Sequence, residues 1–582
     1  MTFKIGQKAR DVGLTHTAAS SKPSKLVKTR FDNKKHKHSM TKRLASISRQ
    51  ARKLYSGSIF ASSTWGHQCS SLSETQIVEL ERTALQCTGI TEAGRCRAWG
   101  LFAAYGVLGT PRARIVRETV RSWFSIIHDL KGTQIIDLRD SWLAAKKKIL
   151  EFGDKYIVGI MSNLISMLNK ARWTPITFHT WLDHTGAAWS MTGLKAPPDQ
   201  VANAIIKSHA LIELERAQTH YCGKGMGNEV HFGATLAYIR GFKANQFANK
   251  ALCENILSAS NWTAERIHTF ANPDFPSLCP RCKQEPETPE HCYWGCPANA
   301  NIDHDDVINT EKLITRARRD CAEEPCLWLR GILPDKYIQV PKCHEPPDTY
   351  DITWVTSPCP IKSGTYYGDA SGGEFTAYPE IRRVGCSFAQ LDELDKQSLA
   401  VHFPLPGNIQ TVPRGELFTA VQLLRQCIPL SMITYYTDNN WVYDTFNTGC
   451  KYACTHNNAD LWHELYKLTI DKAVKLDIIW MPSHLEDGKK VWPTHVSKRD
   501  VQGNLLADKF AGIAAEKAAV PVPVSKDVIF YYLLVKRIQK RIIAIIQHLP
   551  ERRRRQTILT QKDLRPKIDD LMHESNHNHV LV

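Results

Sequence analysis

The chain has 582 residues, 43% of them hydrophobic and 23% charged, with a formal net charge of +17. That balance is ordinary for globular protein and leaves room for a large core, and at ~100–200 residues per domain it implies three or four units. No run approaches the ~18 apolar residues of a membrane span, so no membrane partner is expected.

Residues 1–54 read as a mobile basic arm. Fifteen Lys and Arg lie between Met1 and Lys53, opposed only by Asp11 and Asp32. Such clusters attract polyanions by releasing counterions, and a merely solvated tail has the same composition. Lys28–His38 (KTRFDNKKHKH) fits a nuclear localisation patch. The 17 cysteines are odd in number and spread along the chain, and no apolar secretory segment is visible, so reduced thiols are expected. Together these features predict an intracellular protein, nuclear rather than cytoplasmic.

Residues 55–265 read as mainly helical. Ser73 and Gln76 fit a capping box, after which Ile77, Leu80, Ala84 and Leu85 recur at helical spacing. Nothing in this region has catalytic spacing, and a packing role is the plain reading. Residues 271–300 are rich in Cys and His, and 301–360 form a proline-rich connector. Residues 361–520 alternate strand and helix patterns. Residues 521–582 predict an amphipathic helix and a basic tail. In that helix Leu534, Ile538, Ile542, Ile545, Ile546 and Leu549 share one face, while Lys536, Arg537, Lys540 and Arg541 lie largely on the other; Arg552–Arg555 follow.

The chemistry concentrates between Gly364 and Val520. A strand pattern in GTYYGDASGG ends at Asp369, and TVPRGELFTAVQLLRQC predicts a helix with Glu416 in its first turn. A second strand pattern, SMITYYTDNNWVYDTF, ends at Asp438, where Asn439 can cap a following helix. A buried strand, DIIWMPSHLEDG, reaches a loop carrying His484, and GNLLADKFAGIAAEKAA predicts a helix with Asp508 in its early turns. Each acid alone is a turn former or a helix-dipole partner. In this order they converge at one end of a mixed α/β sheet, where such folds place their sites. Four carboxylates at one spot repel unless cations lie among them, and hard oxygen ligands suit two Mg²⁺ or Mn²⁺ ions.

Over these ~155 residues the chain resembles the ribonuclease H type 1 domain. The matching positions are Asp369-Ala370-Ser371, Gly415-Glu416, Thr437-Asp438-Asn439-Asn440, Ser483-His484, and Gly503-Asn504 with Ala507-Asp508. The resemblance implies a mixed five-stranded sheet with flanking helices, and an endonuclease that cuts the RNA strand of RNA–DNA hybrids. It implies that Asp369, Glu416, Asp438 and Asp508 bind two Mg²⁺, and that His484 assists proton movement or product release. It further implies that Asn439, Asn440 and Asn504 touch the hybrid backbone or its 2′-hydroxyls, and that the product carries a 5′-phosphate and a 3′-hydroxyl. One departure is the 24-residue step from His484 to Asp508, an enlarged loop holding Lys489, Lys490, Trp492, Lys498 and Arg499.

LCPRCKQEPETPEHCYWGCP (Leu278–Pro297) has the spacing of a structural zinc knuckle, with Cys279, Cys282, His291 and Cys296 as ligands and Cys292 as the alternative to His291. This segment is similar to the zinc-binding region that follows reverse transcriptase in non-LTR retrotransposon proteins, where it precedes a ribonuclease H domain. Arg52–Gly66 and the helices after it loosely resemble the thumb of such polymerases, and no aromatic-x-Asp-Asp signature is present. The resemblance implies the C-terminal part of a retroelement protein, or a gene derived from one, with a separate reverse transcriptase as a partner and further nucleic acid bound by the basic arm and tail. The competing reading is a non-catalytic, nucleic-acid-binding relic.

Overall fold

Apolar stripes at helical spacing build most of the first 260 residues, and strands appear in force only after residue 350. The structure, a computed structural model, describes residues 8–11, 14–17, 24–191, 198–227, 229–454, 456–485 and 491–551. The Arg552–Arg555 cluster and Lys489 and Lys490 lie outside the described residues.

Where the sequence predicts a mobile basic arm, the described residues hold a short hairpin, Lys8–Asp11 against Leu14–Thr17, and a helix, α1 (Ser24–Ala45). Phe31, Lys34, Thr41 and Ala45 fall on one side of α1 and are buried. Phe31 joins the cluster around Tyr55, Ile59 and Phe60, and the Lys34 ammonium meets Glu79 at 2.7 Å. The basic residues thus decorate a helix whose apolar side has a partner, which composition alone does not reveal.

The helical region continues with α2 (Glu74–Gln86), α3 (Arg97–Tyr105), α4 (Pro111–Asp129), α5 (Thr133–Phe152), α6 (Ile160–Lys170), α7 (Pro198–Ala217), α8 (Phe232–Arg240) and α9 (Phe247–Leu257). Ser73 and Gln76 form the expected reciprocal capping box at the start of α2. A three-stranded antiparallel sheet over residues 174–190 was not expected from the helical pattern; its Trp181 is fully buried in the cluster that also holds Trp123 and Trp142.

The C-terminal sheet has six strands: β1 (Thr353–Trp354), β2 (Gly364–Ser371), β3 (Gly385–Leu391), β4 (Gln397–Pro404), β5 (Met432–Thr437) and β6 (Lys475–Trp480). The spatial order is β6-β5-β2-β3-β4-β1, with β2, β5 and β6 parallel and the rest antiparallel. The expected five strands thus gain a sixth, because two residues of the proline-rich connector pair with the open edge of β4. Tyr350, just before them, packs on Phe403 and Phe418. The longer helices of the unit are α10 (Val412–Gln426), α11 (Asn440–Asn447), α12 (Ala459–Asp471) and α13 (Lys498–Lys517), with a single turn at Cys450–Ala453 between α11 and α12.

The last helix, α14 (Val522–Gln547), leaves the sheet and becomes the spine of the helical core. Its Val528, Leu534, Val535, Ile538, Ile542 and Ile545 are buried in the cluster that holds Trp99, Trp294 and Trp328. The two-faced pattern holds at Lys536 and Arg537, which are exposed, and departs at Arg541, which is fully buried. Its guanidinium donates to the carbonyls of Tyr293 and Val307, both at 2.9 Å, and to Thr310 Oγ1 at 3.0 Å. Acceptors left over at short helical turns therefore draw a charged side chain inward.

Candidate functional site

Two glycines decide how closely helices approach strand β2. A Cβ on Gly415 would stand 2.7 Å from Ala370 Cβ and 2.6 Å from Val384 Cγ1, so α10 lies flush on the sheet beside the strand end that carries Asp369. A Cβ on Gly503 would lie 2.2 Å from the Tyr367 ring, so α13 lies equally flush on the same strand. Glu416, the residue after the first glycine, accepts hydrogen bonds from Ala370 N at 3.3 Å and Thr437 Oγ1 at 3.1 Å. It sits one turn into α10 rather than in the first turn, since that helix starts at Val412.

The outcome is a triad. Asp369, Glu416 and Asp438 each present an oxygen within 4.8 Å of the others. Asp369 and Glu416 are buried, and neither forms an ion pair with a described Lys or Arg. The nearest arginine in sequence, Arg414, is committed to Asp460 through two bonds of 3.1 and 2.6 Å. Burial first, and Asp438 second, push the Asp369 carboxyl up to about 7. Burial, then Asp369 and Asp438, hold Glu416 well above the usual carboxylate range. Carboxyls in that condition resist ionising together and gain from a shared cation. Hard oxygens at this spacing fit a divalent ion of the Mg²⁺ or Mn²⁺ kind.

The remaining acid flanks the triad. Asp508 lies outside the triad and is exposed, yet its charge and a hydrogen bond also raise Asp369. Its helix begins at Lys498 with Ser497 and Asp500 as a capping box, so Asp508 falls in the third turn and not in the early turns expected. Lys498 and Arg499 belong to that helix instead of the predicted loop, and Arg499 pairs with Asp395. His484 follows β6, itself exposed next to buried Leu485, with a left-handed φ of 54°.

The asparagines are differently employed. Asn439 Oδ1 caps α11, accepting from Trp441 N at 3.1 Å and Val442 N at 3.3 Å. Asn440 Nδ2 donates to Asp444 at 2.6 Å. Asn504 is buried, and its Oδ1 has no hydrogen-bond partner among the described residues. Thr437, which orients Glu416, is a site residue that sequence reasoning used only as part of a motif.

The second cluster is the knuckle. The donor atoms of Cys279, Cys282, His291 and Cys296 all lie within 4.8 Å of one another. Cys279 Sγ is 3.7 Å from Cys296 Sγ, and Cys282 Sγ is 3.3 Å from His291 Nε2. Tetrahedral ligands at Zn–S ~2.3 Å stand about this far apart. His291 Nδ1 meets Glu285 Oε2 at 2.8 Å, the outer carboxylate that commonly orients a zinc-binding imidazole. Burial opposes ionisation of Cys282, but backbone N–H groups at Gln284 and Glu285 outweigh it and bring the thiol down to about 6. The set fits zinc. Cys292, the alternative to His291, lies outside this set and is fully buried in the helical core with Trp294. Glu285 was legible only as an acid between ligands.

No protein-family model matches the chain, and no curated protein matches it. Two solved structures are similar to part of it. One is the native crystal structure of prototype foamy virus protease-reverse transcriptase, with 18% identity over 28% of this chain and 22% of that chain, at a TM-score of 0.20. The other is the solution structure of the PFV RNase H domain, with 16% identity over 27% of this chain and 95% of that chain, at a TM-score of 0.21. The chain thus spans about a fifth of the length of the protease-reverse transcriptase it matches.

Proposed function

We propose that the C-terminal α/β unit is a metal-dependent nuclease that cuts the RNA strand of RNA–DNA hybrids, in a chain of retroelement origin. One observation carries the reading: Asp369, Glu416 and Asp438 meet within 4.8 Å, two of them buried without a described cationic partner. Structural acids are normally paired with Lys or Arg when buried, so this arrangement is costly unless cations are its purpose.

In this proposal Asp369, Glu416, Asp438 and Asp508 hold two Mg²⁺ or Mn²⁺ ions. Such ions, when bound, make water a nucleophile at neutral pH and steady the departing oxygen. Thr437 keeps Glu416 aimed at the site. His484, exposed on its loop, passes a proton to the leaving 3′-oxygen or aids release. Asn439 offers its Nδ2 to the hybrid, since its Oδ1 serves α11, and Asn440 and Asn504 read backbone or 2′-hydroxyl groups. Cys279, Cys282, His291 and Cys296 hold a structural zinc. The chain acts in the nucleus beside a separate reverse transcriptase, with basic segments adding grip on nucleic acid.

The test is full-length protein on a labelled RNA–DNA duplex, with and without Mg²⁺. Wild type is expected to cut only with metal, and Asp438→Asn to bind the hybrid while losing cleavage. Undiminished cutting by Asp438→Asn would overturn the site. Binding without cutting by the wild type would leave the non-catalytic reading.

A further inference from the structure

The helical region holds a cleft of about 370 Å³ between the end of α2, the turn before α3 and the end of α7. Four arginines line it: Arg82, Arg95, Arg97 and Arg216. Their partners decide how much charge is left over. Glu213 accepts from Arg97 at 2.9 Å through one oxygen and from Arg216 at 2.8 Å through the other, so one carboxylate braces two guanidiniums. Glu92, at the rim, is itself paired with Lys42 of α1 at 3.0 Å. Arg95 donates to the carbonyls of Leu85 at 3.4 Å and Ile90 at 3.1 Å and forms no ion pair with a described residue. Arg82 is exposed and makes neither a hydrogen bond nor an ion pair with a described residue.

A further group faces the same space. His220 lines the cleft, and its buried Nδ1 has no hydrogen-bond partner among the described residues. Burial, with Arg330 and Arg266 nearby, brings this imidazole down to about 4, so it is neutral near pH 7. As a neutral lining residue, His220 leaves the charge of the cleft to the guanidiniums.

We infer that this cleft binds phosphodiester groups of a nucleic-acid strand. A guanidinium fork matches two phosphate oxygens, and Arg82 and Arg95 keep donors free for that purpose. A strand is favoured over a small anion because the cleft opens at the surface and abuts α1, whose basic residues continue the positive field from Lys42 onward. The inference assigns a binding role to a region that carries no catalytic pattern.

The experiment uses the full zinc-loaded chain carrying Asp438→Asn, without added Mg²⁺, with a labelled single strand and a salt titration. Its readout is binding alone, so it does not depend on whether the acidic centre cuts. Arg82→Gln/Arg95→Gln is expected to weaken binding about tenfold and to flatten the salt dependence by one to two phosphate contacts' worth, roughly 0.7 per contact. Arg82→Gln alone touches an exposed, unbonded side chain and should flatten it by about one contact while leaving the melting temperature unchanged. Lys147→Gln/Lys148→Gln on α5 removes equal charge elsewhere. Equal losses from that control, or no change in affinity and slope from the arginine variants, would overturn the inference. So would a melting shift caused by inorganic phosphate that depends on Arg82 when strand affinity does not.

Discussion

Gly415 and Ala370 face each other so closely that a methyl group on the glycine would stand 2.7 Å from the alanine Cβ. That single approach brings helix α10 against strand β2 and lets Glu416 accept a hydrogen bond from Ala370 N. Gly415→Ala is therefore expected to push the helix off the strand. Overpacking of this kind costs about 1–3 kcal/mol, and here it also moves Glu416 away from Asp369. Urea denaturation and Mg²⁺ titration measure the two effects. Unchanged stability together with unchanged metal affinity would mean that the helix tolerates the methyl group and that the approach is not limiting.

Asp369 predicts how the metal-free protein responds to pH. Its ordinary value is 3.8, and in the folded chain burial and then Asp438 push it up to about 7. Between those values the folded state holds a proton that the unfolded state has released. Stability from this group is therefore fullest below about pH 4 and declines as pH rises, until it is lost above about pH 7. In chelator, the urea midpoint of wild type should fall from pH 5 to pH 7.5 more steeply than that of Asp369→Asn. Added Mg²⁺ should raise the wild-type midpoint at pH 7.5 and have less effect on the variant. Parallel pH profiles for the two proteins would contradict the burial argument.

The knuckle should behave as a metal site built into the fold. Cys279→Ser/Cys282→Ser removes one thiol of the 3.7 Å pair with Cys296 and the thiol 3.3 Å from His291. We expect the purified variant to contain no zinc by elemental analysis and to lose on the order of several kcal/mol of stability. Glu285→Gln should weaken zinc retention against a chelator without abolishing it, since Glu285 holds His291 and is not itself a ligand. Equal zinc content in the double-serine variant and wild type would remove these residues as ligands.

Arg541 offers a test of the returning helix. Three bonds, to Tyr293 O, Val307 O and Thr310 Oγ1, tie α14 to the turns beside the knuckle. Arg541→Leu leaves those buried acceptors unmet and should cost about 3 kcal/mol. Proteolysis should then open the helical region before the C-terminal sheet, whose own core around Leu417, Phe403 and Ile433 contains no residue of α14. A variant as resistant as wild type would show that the tie is dispensable.

Different parts of the molecule were legible to different degrees. The alternation that ends in Asp369 and Asp438, the glycine before Glu416 and the Cys/His spacing are local, and local geometry suffices to place them on strand ends, a helix and a knuckle. Asp508 was legible as a motif but not in its position, because the capping box at Ser497 starts α13 a turn and a half before Gly503. The sixth strand escaped notice because two residues of a proline-rich segment carry no periodicity; only the open edge of β4 makes Thr353–Trp354 a strand.

By itself the amino-acid order determined which residues could do chemistry, since hydrophobic period, turn residues and ligand spacing act over a few neighbours. Tertiary structure alone decided that Phe31 and Lys34 anchor a basic helix, that α14 returns with Arg541 into the helical core, and that Arg82 and Arg95 share a cleft with His220. Those outcomes depend on which distant surface covers each side chain, and burial against a distant partner leaves no mark in the local pattern.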